Sequence, residues 1–296
     1  FQVMVYLNLD KTFGQDLGEA IEFEAFTFPG GEFNIKLTSY ISSPTDVMIT
    51  QRVENGNDII EILMAVDALK RNSQVRNIEL FIPYLPYARQ DRVCNEGEAF
   101  SLKVFSNLIN SCNFKKVHVF DAHSDVGPAL IENCVNHDNH TFILRSVQHL
   151  LSTMKGGDVK HLAIVAPDAG AVKKIYKVVQ HLSSSFPDVE FKLVTCDKVR
   201  NLATGEILRT EVYATHVYRH CLIIDDICDG GRTMIEVAKV LQEKGADSVS
   251  MAVSHGLFSK GFGVFQGYID HFYTTPSCGG KVVDFEVGKL HRMDMV

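Results

Sequence analysis

The chain has 296 residues, of which 46% are hydrophobic and 22% are charged, and its formal net charge is -7. The length exceeds that of one average domain, the composition is that of a globular protein, and the charge argues against a broad nucleic-acid footprint. The sequence has no apolar run of membrane-spanning length, and its start, FQVMVYLNLD, lacks the features of a signal peptide. The seven cysteines have no paired CxxC spacing, so we expect reduced thiols in the cytoplasm, without a disulfide framework or a zinc site.

Apolar, strand-like runs alternate with amphipathic helical stretches along the chain. The strand-like runs are IELFIP (78–83), VHVF (117–120), HLAIVAPD (161–168), CLII (221–224) and SVSMAVSH (248–255). Helices are predicted near 101–112, 170–182 and 233–244. This alternation predicts an α/β protein with mainly parallel sheets flanked by helices. The same scheme occurs in both halves, which indicates two similar domains, 1–145 and 146–296, that meet near the polar segment NHDNHT.

Residues 221–233 read CLIIDDICDGGRT and join a predicted strand to three acids and a glycine turn. In open parallel sheets, ligands bind beyond the carboxyl ends of the strands. A glycine turn that opens a helix favours phosphate binding, because backbone amides and the positive helix end face one point. Asp225, Asp226 and Asp229 suit sugar hydroxyls or Mg²⁺. The alternative is a turn with an aspartate helix cap, for which one acid would suffice.

Two further motifs place acids at predicted strand ends. In DAHSDV (121–126), His123 with a neighbouring aspartate could hold a metal-bound nucleotide or transfer a proton, and a structural histidine is the alternative. In APDAG (166–170), Asp168 could be a second Mg²⁺ contact, the N-cap of the following helix, or both.

The loop YARQDR (87–92) places two arginines around Asp91. Arginine forks such as that of Arg89 suit a polyphosphate, and Gln90 could read a base or a ribose. The alternative is a solvated surface loop, which the flanking IPYLPY makes less natural.

Two polar turns complete the candidate segments. FPGGE (28–32) carries an aromatic ring, Phe28, that could stack on a purine, and a plain hairpin turn is the alternative. DKVRNLATGEI (197–207) begins with Lys198 and Arg200 and is predicted to be a lid that brings cations over a reacting phosphate.

Taken together and in order, seven motifs resemble the ribose-phosphate pyrophosphokinases, also called phosphoribosyl pyrophosphate synthetases, from about residue 28 to 285. These motifs are VDALKR, PYARQDR, GEAFSLK, DAHSD, APDAG, DK and DDICDGGRT. The resemblance implies two fused phosphoribosyltransferase-type domains with the active site between them. It implies Mg²⁺-dependent transfer of the β,γ-pyrophosphate of ATP to the anomeric hydroxyl of ribose 5-phosphate, a step of nucleotide biosynthesis. A homo-oligomer, dimer or hexamer, is also expected.

The resemblance implies a role for each candidate residue. The ATP side, in the N-terminal domain, would comprise Phe28, Glu32, Arg89, Gln90, Asp91 and His123. Mg²⁺ would be contacted by His123 and Asp168. Lys198 and Arg200 would cover the transferred group from the lid, and His123 could assist proton removal. The ribose-phosphate side, in the C-terminal domain, would comprise Asp225 and Asp226 for the hydroxyls and Asp229, Gly230, Gly231, Arg232 and Thr233 for the 5-phosphate.

Two departures from the family pattern leave the acceptor open. The usual DTGGT loop reads DGGRT here, and Gly30 stands where the adenine turn usually carries an acid. Arg232 could face the diphosphate of an extended acceptor such as ADP-ribose, which would assign the protein to NAD metabolism, or it could face solvent or a neighbouring chain. The third hypothesis is a catalytically silent relative that regulates or scaffolds an active synthetase. Against it argue the retained residues His123, Asp168, Lys198, Arg200, Asp225 and Asp226.

Overall fold

This computed structural model describes residues 4–14, 17–154, 160–200, 207–279 and 289–292, with the backbone alone described for 198–200, 207–209 and 289–292. Contacts divide the chain into two units, Phe1–Asp138 with Ser277–Gly279 and Asn139–Pro276 with Gly280–Val296. The predicted boundary between residues 145 and 146 falls inside a helix, His140–Thr153, of the second unit. This helix buries Phe142, Ile143, Val147 and Leu150 along one stripe, so its two halves share one core.

The first unit contains a parallel sheet with the strand order β1-β4-β5-β6-β7. Its strands are β1 (Met4–Asn8), β4 (Thr45–Thr50), β5 (Val75–Ile82), β6 (Lys116–Phe120) and β7 (Cys134–His137). The helices α1 (Gly56–Lys70), α2 (Ser101–Ser111) and α3 (Val126–Leu130) follow β4, β5 and β6. An antiparallel hairpin, β2 (Phe23–Thr27) with β3 (Phe33–Leu37), is inserted after β1.

The core of the first unit lies where the helices cover the sheet. Val47 and Ile49 alternate along β4 and are fully buried. Helix α1 begins with reciprocal caps: the Asn57 amide donates to the Asn55 side chain and the Asn55 amide donates to Asp58, each at 2.9 Å. Along the same helix, buried side chains recur at helical spacing at Ile59, Ile62, Val66 and Leu69.

The second unit contains a sheet with the strand order β10-β9-β8-β11-β12-β13-β14. Its strands are β8 (His161–Ala166), β9 (Glu190–Arg200), β10 (Ile207–Val212), β11 (His220–Cys228), β12 (Ser248–Gly256), β13 (His271–Thr274) and β14 (Lys289–Arg292). All neighbouring strands are parallel except β9 and β10. The helices are α4 (His140–Thr153), α5 (Val172–Ser185) and α6 (Arg232–Glu243). The predicted fold class, two mainly parallel sheets flanked by helices, is confirmed.

The strand order of the second unit reverses between β8 and β11. Helix α5 leads from β8 to β9 on one side, whereas α6 leads from β11 to β12 on the other. Diverging connections open a crevice at the carboxyl ends of the two central strands, which is where ligands bind in such sheets. The sheet of the second unit therefore has a topological switch point beside the acidic segment.

One predicted strand end needs correction. The sequence indicated a strand over 221–224 with the acids beyond it, but β11 continues to Cys228 and contains Asp225 and Asp226. The reason is the register with β12, in which Asp225 lies opposite Val253 and the pairing continues to Gly256.

In the described helices, no stretch combines the length and hydropathy that a membrane span requires.

Candidate active site

The acids of the second unit lie at its switch point. On the β8 side, the ladder of β11 ends at the pair of Ile223 with Val165, just before Asp225 and Asp226. Asp168 follows the end of β8, two residues after Ala166. All three aspartates are half-buried. The structure thus brings together three carboxylates that the sequence separates by more than fifty residues.

The electrostatics of this acid cluster favour a ligand with donors or positive charge. Burial first, and then the charges of Asp226 and Asp168, raise the pKa of Asp225 well above its ordinary value. The Asp226 amide donates to Asp225 Oδ1 at 2.9 Å, which compensates only part of this cost. Hydroxyl groups or a cation would stabilise the ionised form of the cluster.

Asp168 is not the N-cap of α5, as the sequence allowed, because Ala171 holds that position without a side-chain cap. Asp168 Oδ1 accepts a hydrogen bond from the Ala171 amide at 3.2 Å, in the turn that leads into α5. Its charge also raises the pKa of Asp225. Among the described residues, no group of three or more His, Cys, Asp or Glu side chains is arranged to hold a metal ion alone.

The glycine turn that opens α6 has a conformation that only glycine adopts without strain. Gly231 has φ +79°, and a Cβ there would lie 2.6 Å from Cε1 of the buried Phe265 ring. At Gly230, by contrast, a Cβ would make an ordinary contact of 3.5 Å with the Lys260 side chain. Helix α6 starts directly after Gly231, so the first-turn amides point toward residues 229–233.

The side chain of Arg232 forms an ion pair with its own helix. Arg232 Nε lies 2.7 Å from Glu236 Oε1, one turn further along α6, and the Arg232 side chain is 73% exposed. Asp229 and Thr233, which flank the glycine pair and Arg232, are half-buried. The loop thus combines backbone donors with the Thr233 hydroxyl, while Arg232 has a carboxylate partner of its own.

In the first unit, the loops after β5 and β6 meet. The Ser124 hydroxyl donates to the buried Asp91 carboxylate at 2.9 Å, and Arg92 Nε lies 2.9 Å from the same group. These two hydrogen bonds, with that of Arg92 the larger effect, lower the pKa of Asp91, and the positive charge of His123 adds to this. Sequence reasoning did not single out Ser124, although it stands within the DAHSDV motif.

Strained backbone marks the same two loops. Tyr87 has φ +61° and Asp121 has φ +46°, in the left-handed region that non-glycine residues rarely adopt. The Asp121 amide donates to the His137 carbonyl at 2.8 Å, which helps to hold this conformation. Such strain is typical of binding and catalytic sites.

The remaining predicted ATP contacts lie at the surface. Arg89 and Gln90 are exposed and directly precede Asp91, at the carboxyl edge of the sheet. Phe28 and Glu32 lie in the turn of the β2–β3 hairpin, where the Phe28 amide donates to the Glu32 carbonyl at 2.8 Å. FPGGE thus forms a hairpin turn, in which the Phe28 ring is 48% exposed and contacts the Phe26 ring edge-on.

The predicted lid is partly a β-hairpin. Lys198 and Arg200 lie in β9, and β10 pairs antiparallel to this strand with Thr210 opposite Lys198. The side chains of Lys198 and Arg200 and all of 201–206 lie outside the described residues. The flanks of the segment are paired strands up to its described ends, with a shift of register between Ile207 and Arg209.

Comparison with known proteins identifies the family. The model of the N-terminal domain of ribose phosphate pyrophosphokinase matches residues 9–112, and that of the phosphoribosyl transferase domain matches residues 137–263. The ribose-phosphate pyrophosphokinase of Mycoplasma genitalium is 31% identical over 238 residues, covering 78% of this chain and 66% of that protein. The Mycoplasma pneumoniae protein of the same name is 31% identical over 265 residues, covering 84% of this chain and 74% of that protein.

A solved structure is similar in fold. The phosphoribosylpyrophosphate synthetase from Mycobacterium smegmatis superposes with a TM-score of 0.77 and covers 99% of this chain and 95% of that one, at 19% identity. The expected enzyme class, a pyrophosphokinase, is confirmed at the level of the family. Sequence identity, the two matched domains and the shared fold together show that this chain belongs to the ribose-phosphate pyrophosphokinase family.

Proposed function

We propose that this protein transfers the β,γ-pyrophosphate of ATP to the anomeric hydroxyl of ribose 5-phosphate in a Mg²⁺-dependent reaction. The products are phosphoribosyl pyrophosphate and AMP. One observation carries the proposal: the Asp225–Asp226 pair adjoins the glycine turn 229–233 at the switch point of a parallel sheet. Membership of the pyrophosphokinase family supports the same reaction.

The acceptor matches the chemistry of this segment. Ribose 5-phosphate carries neighbouring hydroxyls, which donate hydrogen bonds, and a terminal phosphate, which accepts them. Asp225 and Asp226 would accept from the hydroxyls, and these donors would offset the burial and charge repulsion that raise the pKa of Asp225. The amides that open α6, with Asp229, Gly230, Gly231 and Thr233, would surround the phosphate.

ATP would bind to the first unit. Arg89 and Gln90 are exposed beside the Asp91–Ser124 hydrogen bond and would contact the phosphates and ribose. Phe28 and Glu32 would form the adenine site from the hairpin turn. His123 follows β6 on the loop that Ser124 anchors, and would face the phosphates or their metal ion.

The reaction needs alignment and neutralised charge. The anomeric oxygen attacks the β-phosphorus, the bond from this phosphorus to the α-phosphate oxygen breaks, and AMP leaves with the electron pair. The hydroxyl proton passes to solvent or to His123. Lys198 and Arg200 would stabilise the negative charge that gathers on the transferred group. Mg²⁺, contacted by Asp168 and His123 directly or through water, would neutralise phosphate charge.

Two alternatives to this reaction stay testable. The first is the same transfer to an extended acceptor such as ADP-ribose, whose diphosphate Arg232 could face. The ion pair of Arg232 with Glu236 gives this arginine a partner without a second phosphate, and so favours the ordinary acceptor. The second is a silent regulatory relative, against which the retained acids argue.

We also propose a cytoplasmic homo-oligomer, a dimer or a hexamer, with ATP and a ribose phosphate as its small-molecule partners. None of the seven cysteines, all within the described residues, forms a disulfide, which suits a reducing compartment. Light scattering during size-exclusion chromatography measures the assembly, and cell fractionation tests the location.

A substrate panel tests the proposed reaction. The protein is incubated with Mg-ATP and ribose 5-phosphate, ADP-ribose or unphosphorylated ribose, and the release of AMP is measured. We expect AMP with ribose 5-phosphate above all. A preference for ADP-ribose would establish the extended acceptor, and no AMP with any acceptor would support the silent relative.

A further inference from the structure

A tight turn after β12 is anchored to the end of β11. The amides of Leu257 and Phe258 both donate to the Cys228 carbonyl, at 2.9 and 3.2 Å. The Gly261 amide closes the turn on the Phe258 carbonyl at 2.8 Å. Cys228 directly precedes the glycine turn 229–233. Its carbonyl therefore ties the turn after β12 to the start of the glycine turn.

Aromatic packing holds this turn in a single conformation. Phe258 has φ +45°, a left-handed value that costs energy in a phenylalanine. Its ring lies 4.5 Å from the Phe262 ring between centroids, and a Cβ on Gly256 would overlap it. Residues carried by the turn are therefore held in place before any ligand arrives.

The turn places Lys260 across the glycine loop. A Cβ built on Gly230 would lie 3.5 Å from Lys260 Cδ and Cε and 3.8 Å from Cγ. The aliphatic stem therefore covers Gly230, while the residue as a whole is exposed. Within the part of the chain that the structure describes, Lys260 has no ion-pair partner.

We propose that Lys260 is a further phosphate-binding residue, whose ammonium group contacts the phosphate held by residues 229–233. This inference rests on the proposed ribose 5-phosphate site. A phosphate dianion in this loop meets the backbone amides of α6 but also the nearby acids Asp225, Asp226 and Asp229. A cation is needed to offset them, and Arg232 is already paired with Glu236. Lys260 supplies that cation from a preformed turn.

The test compares Lys260→Met, which keeps the stem and removes the charge, with Lys260→Arg, which keeps the charge. Calorimetric titration measures the affinity for ribose 5-phosphate, and initial rates give KM for each substrate. We expect Lys260→Met to weaken ribose 5-phosphate binding about tenfold, with the KM for ATP unchanged. Lys260→Arg should restore most of this loss. Lys177→Met, at an exposed lysine of α5, is the matched control and should behave as wild type.

The outcomes separate this inference from the proposed function. If the wild type binds ribose 5-phosphate and Lys260→Met binds it within twofold as well, Lys260 has no role in phosphate binding and the proposed reaction stands. If the wild type neither binds ribose 5-phosphate nor releases AMP with it, the proposed function fails and this inference fails with it. If Lys260→Met weakens the binding of ribose 5-phosphate and of ATP to the same extent, the inference is also overturned, because Lys260 would then have a structural role.

Discussion

The Ser124 hydroxyl donates a hydrogen bond to the Asp91 carboxylate across 33 residues of sequence, with 2.9 Å between the two oxygens. The two residues follow adjacent parallel strands, β5 and β6, so their loops meet at one edge of the sheet. Asp91 is 8% exposed and adjoins Gln90, while Ser124 adjoins His123. One hydrogen bond therefore couples the two segments that we expect to bind ATP.

Ser124→Ala should loosen this coupling. We expect the KM for ATP to rise several-fold and the free energy of unfolding to fall by about 1 kcal/mol, since the buried Asp91 loses one of its donors. Steady-state kinetics and thermal unfolding measure the two effects. Ser111→Ala removes a hydroxyl at the end of α2 that bonds to the Leu108 carbonyl and to neither loop, and serves as the control. An unchanged KM for ATP would separate the Asp91–Ser124 pair from nucleotide binding.

Gly231→Ala should damage the phosphate loop, whereas Gly230→Ala should fold normally. At Gly231 the positive φ and the Phe265 ring both oppose a methyl group, and we expect a loss of stability of about 2–4 kcal/mol. At Gly230 the added methyl meets only the Lys260 stem at ordinary distance. Thermal unfolding of the two variants side by side is the measurement. Equal melting temperatures would contradict the packing argument.

Asp225→Asn should stabilise the protein at neutral pH while it abolishes ribose 5-phosphate binding. The pKa of Asp225 is higher in the folded protein than in the unfolded chain. The free energy of unfolding therefore falls as the pH rises from the ordinary carboxyl range through the folded pKa. Removing the charge should raise Tm by a few degrees at pH 8 and by less at pH 4.5. A lower Tm for the variant at pH 8 would show that the charge of the Asp225 carboxylate does not destabilise the folded protein.

Asp168→Asn should raise the Mg²⁺ requirement without unfolding the turn before α5. Asparagine keeps an oxygen for the Ala171 amide, which Asp168 now bonds at 3.2 Å, but it loses the charge. We expect the half-saturating Mg²⁺ concentration to rise about tenfold, with Tm nearly unchanged. Asp168→Ala removes both functions and should also lower Tm. An unaltered Mg²⁺ titration for both variants would remove Asp168 from the metal site.

Lys198→Ala should lower kcat by about 10²–10³ and leave the affinity for ATP nearly unchanged. The reason is that a lid cation meets negative charge only as it develops on the transferred group. Rapid-quench kinetics and equilibrium ATP binding measure the two quantities. Lys192→Ala, on the same strand β9 but over the Tyr218 ring, is the control lysine. A normal kcat for Lys198→Ala would exclude this residue from the mechanism.

Several features of this protein followed from short stretches of sequence. The alternation of strand-like and helical runs predicted two α/β units, because apolar periodicity is a local property. The segment CLIIDDICDGGRT predicted a strand, an acid cluster and a helix start within 13 residues, and β11 and α6 occupy it. The motifs resembled a family that the comparisons then confirmed, since each motif is short and ordered along the chain.

Strand ends and side-chain partners were less accessible. The strand ending at Ile224 was predicted from apolar residues alone, but β11 continues through Asp225 and Asp226 because β12 supplies hydrogen bonds up to Gly256. The sequence allowed Arg232 an additional phosphate, whereas the structure pairs it with Glu236. The length of a strand and the direction of a side chain depend on neighbouring segments that a short stretch of sequence does not contain.

The sequence by itself determined which chemical groups stand at the strand ends, and the tertiary structure decided which of them meet. Asp168 approaches Asp225 only because β8 and β11 are neighbours in the sheet, although α5, β9 and β10 separate them along the chain. Lys260 belongs to none of the motifs found in the sequence. Its side chain reaches Gly230 because the turn after β12 is hydrogen-bonded to the Cys228 carbonyl. Such long-range contacts depend on strand order, register and packing of distant segments, which no local pattern encodes.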